Sequence, residues 1–268
     1  MQKIKFVKMS GAGNDFVLLT GGRRGAVALK KLALKLCARK LAVGADGLLY
    51  VNKAGKNAVS LRYFNSDGSE AFCGNGSRCS AWWAYSSGLM KRKKFLLKTI
   101  SGDLPVDIVS PGSVKMRMPD VPEVKTGFKG KYPPGIKTMY FLNTGVPHAV
   151  VPVKDIERTD VRGLGRALRY NEAFGPGGAN VDFVKKSGGG VSVRTYERGV
   201  EGETLACGTG ITASAVALAV AGQIKSPVTL IARSGDKFRV SLNPAGCGAS
   251  DIYIQGPAKI IFEGEIKL

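Results

Sequence analysis

Two cysteines in this 268-residue chain stand where a thiol can do acid–base work. Cys73 opens the run Cys73-Gly74-Asn75-Gly76, and Cys207 opens Cys207-Gly208-Thr209-Gly210. A small-residue stretch of helical character follows each run. Each thiol is therefore expected at a helix start, where unpaired backbone N–H groups and the positive end of the dipole converge. That setting lowers a cysteine pKa from about 8.5 and favours the thiolate. The glycines let backbone N–H groups approach an anion such as a carboxylate. One such thiol suits nucleophilic or redox chemistry. Two, on duplicated halves facing one cleft, can remove an α-proton from one face of a carbon and deliver a proton to the other. An amino-acid α-proton is weakly acidic, so two helix N-termini aimed at the α-carboxylate, in a site closed to water, would have to stabilise the carbanion. The two thiols would then titrate as a coupled pair.

Taken singly, either cysteine reads most simply as a small buried hydrophobe. Duplication of the whole unit argues for chemistry. The other three cysteines read as structural: Cys37 ends an apolar stripe (Leu29, Leu32, Ala33, Leu36), Cys79 lies inside a helix where the second copy has Ala213, and Cys247 sits in a Gly-rich turn. Five cysteines, an odd number, behind a start (MQKIKFVKMS) without the pattern of a secretory leader argue against a disulfide framework. There is no Cys-x-x-Cys pair, and the single histidine removes the usual zinc spacings.

The elements that position these thiols repeat. Both helical stretches stop at a glycine 15 residues beyond the cysteine (88 − 73 and 222 − 207). A Ser-Gly-Asp turn recurs downstream, at Ser101-Gly102-Asp103 and Ser234-Gly235-Asp236, and Gly44-Ala45-Asp46 matches Gly178-Ala179-Asn180 upstream. The offset, 207 − 73 = 134, is half the chain. Val59-Leu61-Tyr63 and Val191-Val193-Thr195 alternate with polar residues at period two, the pattern of a half-buried strand. The stretches around Trp82-Trp83 and Ala213–Ala221 are apolar on most sides and require burial inside their half. Two pseudo-symmetric domains of α+β class follow, each a mostly antiparallel sheet or barrel wrapped around a central helix. The expected division is 1–118, with a return strand at about 258–268, and 119–257, separated by the polar, Pro-rich stretch from Met118 to Pro134.

Composition narrows the function classes. Apolar residues make up 44% and charged residues 22%, as in a folded globular chain, and the longest apolar run is too short and too polar for a membrane span. A soluble cytoplasmic protein is expected. The net charge of +20 favours contact with anionic surfaces, but the basic residues are scattered and no aromatic-interleaved nucleic-acid signature accompanies them. No specific nucleic-acid or membrane partner is expected.

The chain resembles the diaminopimelate epimerase family over most of its length. The resemblance rests on Lys8-Met9-Ser10-Gly11-Ala12-Gly13-Asn14-Asp15-Phe16, Gly44-Ala45-Asp46-Gly47 and Asn65-Ser66-Asp67-Gly68-Ser69-Glu70. It continues through Cys73-Gly74-Asn75-Gly76, Asn143-Thr144-Gly145-Val146-Pro147-His148 and Asn180-Val181-Asp182-Phe183. Tyr196-Glu197-Arg198-Gly199-Val200 then runs through Glu203-Thr204-Leu205-Ala206 into Cys207-Gly208-Thr209-Gly210. The resemblance implies conversion of LL-2,6-diaminopimelate to the meso isomer, on the route to lysine and peptidoglycan, by a homodimer with neither pyridoxal phosphate nor a metal. It implies Cys73 and Cys207 as the two bases, with Gly74, Asn75, Gly208 and Thr209 gripping the α-carboxylate. Asn14, Asn65, Asn180, Glu197 and Arg198 would recognise the substrate, Arg198 through its bidentate fork on the distal carboxylate. Glu197 and His148 would tune the thiols.

Without that resemblance, the asparagines read as turn formers and Glu197–Arg198 as an exposed strand-end pair. His148 reads as a surface or hydrogen-bonded histidine. Three departures stand out: the loop between Asn65 and Cys73 is one residue shorter than the usual pattern, Gly47 stands where some members carry a substrate-contacting Gln, and Val146 where some carry Asn. The alternatives are a proline or hydroxyproline racemase on the same architecture, a thiol-redox protein with two low-pKa cysteines, and a basic nucleic-acid-binding module. Diaminopimelate is nearly neutral, so substrate steering does not account for the positive charge.

Overall fold

The computed structural model describes residues 3–126, 133 and 136–267. Most of the second half of the expected Pro-rich boundary, and Leu268 at the end of the return strand, lie outside the described residues. The chain divides into two compact units, Met1–Met116 with Gly256–Leu268, and Arg117–Gln255.

In the first unit Lys3–Gly11 (β1) and Asn14–Thr20 (β2) form a hairpin, turned by Ala12 and Gly13 with φ of 59° and 89°. Ala26–Leu36 (α1) carries the chain over to Gly47–Lys53 (β3), parallel to β2, and Ala58–Asn65 (β4) returns antiparallel. The short strand Glu70–Ala71 (β5) folds back on β4. Gly74–Ser86 (α2) then leads to Lys94–Thr99 (β6), parallel to β4, followed by the antiparallel Gly102–Ser110 (β7) and Ser113–Arg117 (β8).

The second unit repeats this order. Its strands and helices are Tyr140–Asn143 (β9), Pro147–Pro152 (β10), Val161–Arg169 (α3), Asn180–Ser187 (β11), Gly190–Glu197 (β12), Gly202–Thr204 (β13), Gly208–Val220 (α4), Val228–Ile231 (β14), Lys237–Ala245 (β15) and Gly248–Pro257 (β16). β10–β11 and β12–β14 are parallel and the other pairs antiparallel, matching the first unit. Lys259–Lys267 (β17) returns to the first unit and pairs antiparallel with β1, while Ala258 N donates to Gly112 O (2.8 Å).

The strand pairing is mostly antiparallel, as expected, with parallel pairs, among the described residues, at β2–β3, β4–β6, β10–β11 and β12–β14. Each parallel pair is joined through a helix, because only a crossover returns the chain to the same end of the sheet. Along β4 and β12 the expected alternation holds: Val59, Leu61 and Tyr63, and Val191, Val193 and Thr195, face inward. Gly163 and Gly165 leave α3 with little helical signal in the sequence. Asp160 nevertheless caps it by accepting from Gly163 N (2.9 Å), and Gly165 is required because a Cβ there would lie 2.5 Å from Tyr196.

The two central helices hold each unit together. Of α4, residues 210–219 are all buried, and it touches β9, β10, β11, β12, β14 and β15. α2 touches β1, β2, β3, β4, β7 and β17. Gly88 and Gly222 end them in the left-handed conformation (φ 78° and 68°) that glycine takes without strain. Among the described residues no helix is long and apolar enough to cross a membrane.

Small residues on α4 set how closely the strands approach it. Ala215→Leu forces a large side chain into a fully buried position and is expected to cost about 1–3 kcal/mol. Urea denaturation measures this; an unchanged midpoint would show that the helix is more loosely enclosed than its burial implies.

Candidate active site

Both cysteines are the residues that begin the central helices. Cys73 (φ −140°, ψ 114°) caps α2, and Cys207 (φ −117°, ψ 112°) caps α4. The first intrahelical bonds are Ser77 N to Cys73 O (2.8 Å) and Ile211 N to Cys207 O (2.9 Å), so the N–H groups of Gly74, Asn75, Gly208 and Thr209 precede the helical ladder. These are the backbone groups a carboxylate would meet.

Around Cys73 the environment is polar. Its sulfur accepts from Gly76 N (3.4 Å) and lies 3.6 Å from Asn14 Oδ1, to which Asn75 Nδ2 also donates (3.5 Å). Asn14 Nδ2 donates to Asp46 Oδ2 (2.7 Å), and Asp46 N to Asp15 Oδ1 (3.1 Å). Lys8 (2.5 Å) and Arg39 (2.6 Å) close on Asp15, and Lys8 also bonds Gly44 O. Burial opposes ionisation of Asp15, but its bonds to Lys8 and Arg39 prevail and hold its carboxyl below the ordinary value. Beneath Asn75, the fully buried Arg78 donates to Asn75 Oδ1 (2.6 Å) and Pro257 O (3.4 Å). Cys73, Asn14 and Asn75 thus form one connected group.

Asn65 does not join it. Its amide is held within its own turn, accepting from the Tyr63 hydroxyl (2.7 Å) and donating to Ser69 Oγ (2.9 Å). The Tyr63 ring also explains Gly47. A Cβ there would overlap that ring and the Phe64 carbonyl oxygen (2.6 Å), so tyrosine fills the space a side chain at 47 would need.

Around Cys207 acidic groups dominate, the buried Asp182 and the half-buried Glu197. His148 Nδ1 lies 2.7 Å from Asp182 Oδ2, and Thr195 Oγ1 donates to Asp182 Oδ1 (2.7 Å). The Asp182 carboxylate packs so closely on Gly210, in the first turn of α4, that any Cβ there would collide with it. Thr209 Oγ1 stands 3.3 Å from Cys207 Sγ, and Thr144 Oγ1 steadies that turn through Thr209 O (3.1 Å). Burial, then the charges of Glu197 and Asp182, drive the Cys207 thiol well above its ordinary value, against the Thr209 hydroxyl and the Gly210 N–H. The expectation of a lowered pKa at a helix start is corrected here: desolvation and two carboxylates outweigh the helix N-terminus.

Asn180 uses its amide structurally, donating to Pro147 O (3.1 Å) and accepting from Arg198 N (2.8 Å). Glu197 ends β12, and the Arg198 guanidinium lies against Gly177. Cys37 and Cys79 are core residues whose thiols burial pushes up to about 12, and Cys247 is exposed. Among the described residues no group of His, Cys, Asp and Glu is arranged to hold a metal ion.

The sequence reading missed Asp182, Thr195, Asp46, Arg39, Arg78 and Tyr63. Asp182 and Arg78 had a signal: a charged residue inside an otherwise apolar strand or helix must be paired. Two partly buried bidentate pairs carry no such local signal. Arg62 grips Glu70 (2.7 and 2.6 Å), and Arg194 grips Glu203 (2.6 and 2.8 Å), each pinning the short strand that leads into a cysteine.

This architecture is shared with a PhzF-family phenazine biosynthesis protein of Bacillus anthracis (TM-score 0.79, 16% identity, 100% of both chains). It is also shared with a probable proline racemase of Agrobacterium radiobacter K84 (TM-score 0.71, 18% identity, 99% of this chain and 93% of that one). Those likenesses establish the fold class, the two-unit α+β fold of the epimerase and racemase type. The family model for Diaminopimelate epimerase matches residues 6–122 and 140–260. Its two starts are 134 residues apart (140 − 6), the same offset as the cysteines. The diaminopimelate epimerase of Aquifex aeolicus is 38% identical over 280 residues, covering 98% of both chains. That of Methanocella arvoryzae is 38% identical over 283 residues, covering 99% of this chain and 98% of its own. The chain belongs to the diaminopimelate epimerase family, a family of isomerases.

Two outcomes follow from the geometry. In Cys73→Ala protein, alkylation of Cys207 by iodoacetamide, followed by peptide mass spectrometry, is expected to rise with pH only above the ordinary thiol value of 9.0; a rise centred below it would contradict the carboxylate environment. Gly47→Ala is expected to lower stability by about 1–3 kcal/mol through overlap with Tyr63. Tyr63→Leu in the same protein should recover part of the loss, and failure to recover any would assign the clash to the Phe64 backbone alone.

Proposed function

We propose that the protein converts LL-2,6-diaminopimelate to the meso isomer by a two-base mechanism that uses only its own side chains and backbone. The observation that carries this reading is the pair of cysteines, each capping the buried central helix of its unit and each lying within a stretch that the family model matches.

In the forward half-reaction the Cys73 thiolate removes the α-proton, forming an S–H bond as the C–H bond breaks. The electron pair delocalises toward the α-carboxylate. The Cys207 thiol then gives its proton to the opposite face of the α-carbon, leaving Cys73 as thiol and Cys207 as thiolate. Exchange of one proton with solvent restores the starting state. The burial and the two carboxylates that keep Cys207 protonated in the resting protein suit it to be the acid of this direction. The N–H groups of Gly74, Asn75, Gly208 and Thr209 would bind the carboxylate and stabilise its growing charge.

Asn14, already beside Cys73, would meet the reacting end of the substrate, with Asn65, Asn180 and Glu197 receiving its ammonium groups and amide-sized polar contacts. Arg198, whose guanidinium makes no hydrogen bond or ion pair among the described residues, would take the distal carboxylate. Asn65 and Asn180 must exchange present partners for substrate or act by holding their loops. We further place the protein in the cytoplasm, as a homodimer feeding lysine and peptidoglycan-precursor synthesis, with no pyridoxal phosphate.

The test is incubation of the reduced protein with LL-diaminopimelate in D₂O, following deuterium uptake and stereochemistry. Wild type should form the meso isomer with deuterium at the inverted carbon, and Cys73→Ala and Cys207→Ala should each lose epimerisation by at least about 100-fold. Inversion of L-proline instead would transfer the reading to a different substrate, and activity surviving in either variant would end the two-base mechanism.

A further inference from the structure

His148 and Asp182 are both fully buried, at 0% exposure, and meet across the parallel strands β10 and β11. Asp182 stands opposite Thr195 on β12, and the Thr195 hydroxyl, as donor, occupies Oδ1. Oδ2 is left for His148 Nδ1 at 2.7 Å. A carboxylate only accepts hydrogen bonds, so the ring nitrogen facing it carries hydrogen. The other ring nitrogen, Nε2, is buried and has no hydrogen-bond partner among the described residues. This arrangement lies at the first turn of α4, where Asp182 packs on Gly210, three residues beyond Cys207.

We propose that Asp182, oriented by Thr195, is a positioning residue that fixes His148 in the form protonated at Nδ1, so that Nε2 keeps the lone pair that takes a proton from solvent and passes it to the Cys207 thiolate left by each turnover, returning the ring to its neutral form. Neither Asp182 nor Thr195 touches the reacting atoms in this scheme; each acts through the histidine. The contribution to turnover rests on the epimerase reading above, whereas the tautomer is a property of the free protein.

The chain contains one histidine, so its nitrogen signals need no assignment. Long-range ¹H–¹⁵N correlation spectra of ¹⁵N-histidine-labelled protein, recorded without substrate, should show hydrogen on Nδ1 in wild type. Asp182→Asn keeps the shape of the side chain. Thr195 would then donate to the amide oxygen, turning the amide nitrogen toward Nδ1 and forcing the hydrogen to Nε2. That variant should show the reversed tautomer and a kcat reduced roughly 10- to 100-fold, as for other carboxylates that orient a histidine, with KM little changed. Adding Thr195→Val frees the amide to turn its oxygen to Nδ1, and part of the wild-type tautomer should return.

Wild-type histidine protonated at Nε2 instead of Nδ1 would overturn the inference. So would Asp182→Asn protein that shows the reversed tautomer yet turns over diaminopimelate at the wild-type rate. Wild-type protein inactive on diaminopimelate would count against the substrate reading, and the tautomer measured without substrate would still decide the positioning.

Discussion

A helix that presents small and apolar side chains on most of its sides is stable when enclosed, and this requirement organises both units. Once α2 and α4 are wrapped by strands, their side chains meet protein and their N-termini become the places where polar chemistry is needed. The strands that wrap a helix also bring their ends to its first turn. β2 begins at Asn14, β10 at Pro147 and β11 at Asn180, while β12 ends at Glu197. The helix–crossover pattern that makes β2–β3 and β10–β11 parallel, and likewise β4–β6 and β12–β14, recurs without change in the two units.

On this common backbone the two cysteine environments have diverged. Asn14 and His148 are separated by the repeat offset of 134 (148 − 14), and they give the two thiols different neighbours. Near Cys73 an amide stands beside the sulfur, and the charged groups Lys8, Asp15, Arg39 and Asp46 neutralise one another a step further out. Near Cys207, burial of the thiol together with the charges of Glu197 and Asp182 makes it correspondingly hard to ionise. The unequal surroundings distinguish the two thiols before any ligand is bound.

What has not diverged is the support. The Arg62–Glu70 and Arg194–Glu203 pairs use the same bidentate geometry at the same place, between the strand before the cysteine loop and the short strand that leads into it. Partly buried and hydrogen-bonded at both ends, such pairs contribute more to the path of the loop than to net stability. Tyr63 and Gly47 are a second example of mutual fit: the ring is accommodated because residue 47 has no side chain, and its hydroxyl then settles the orientation of the Asn65 amide.

Much of this was legible from residue types and spacing alone. The 134-residue offset, the alternation in β4 and β12, the helices apolar on most sides and the glycines that end them follow from local pattern, and so does the place of Cys73 and Cys207 at helix starts. The structural role of Cys37 and Cys79 was equally readable from their apolar neighbours. Tertiary structure decided the rest, because it depends on charges and rings brought together from distant positions. No local pattern states that Asp182 meets His148 across 34 residues of sequence, or that Asp46 meets Asn14 across 32. Nor does one show that desolvation would overrule the helix N-terminus at Cys207. The pKa of a thiol is a sum over everything packed around it, and only the folded chain specifies that surrounding.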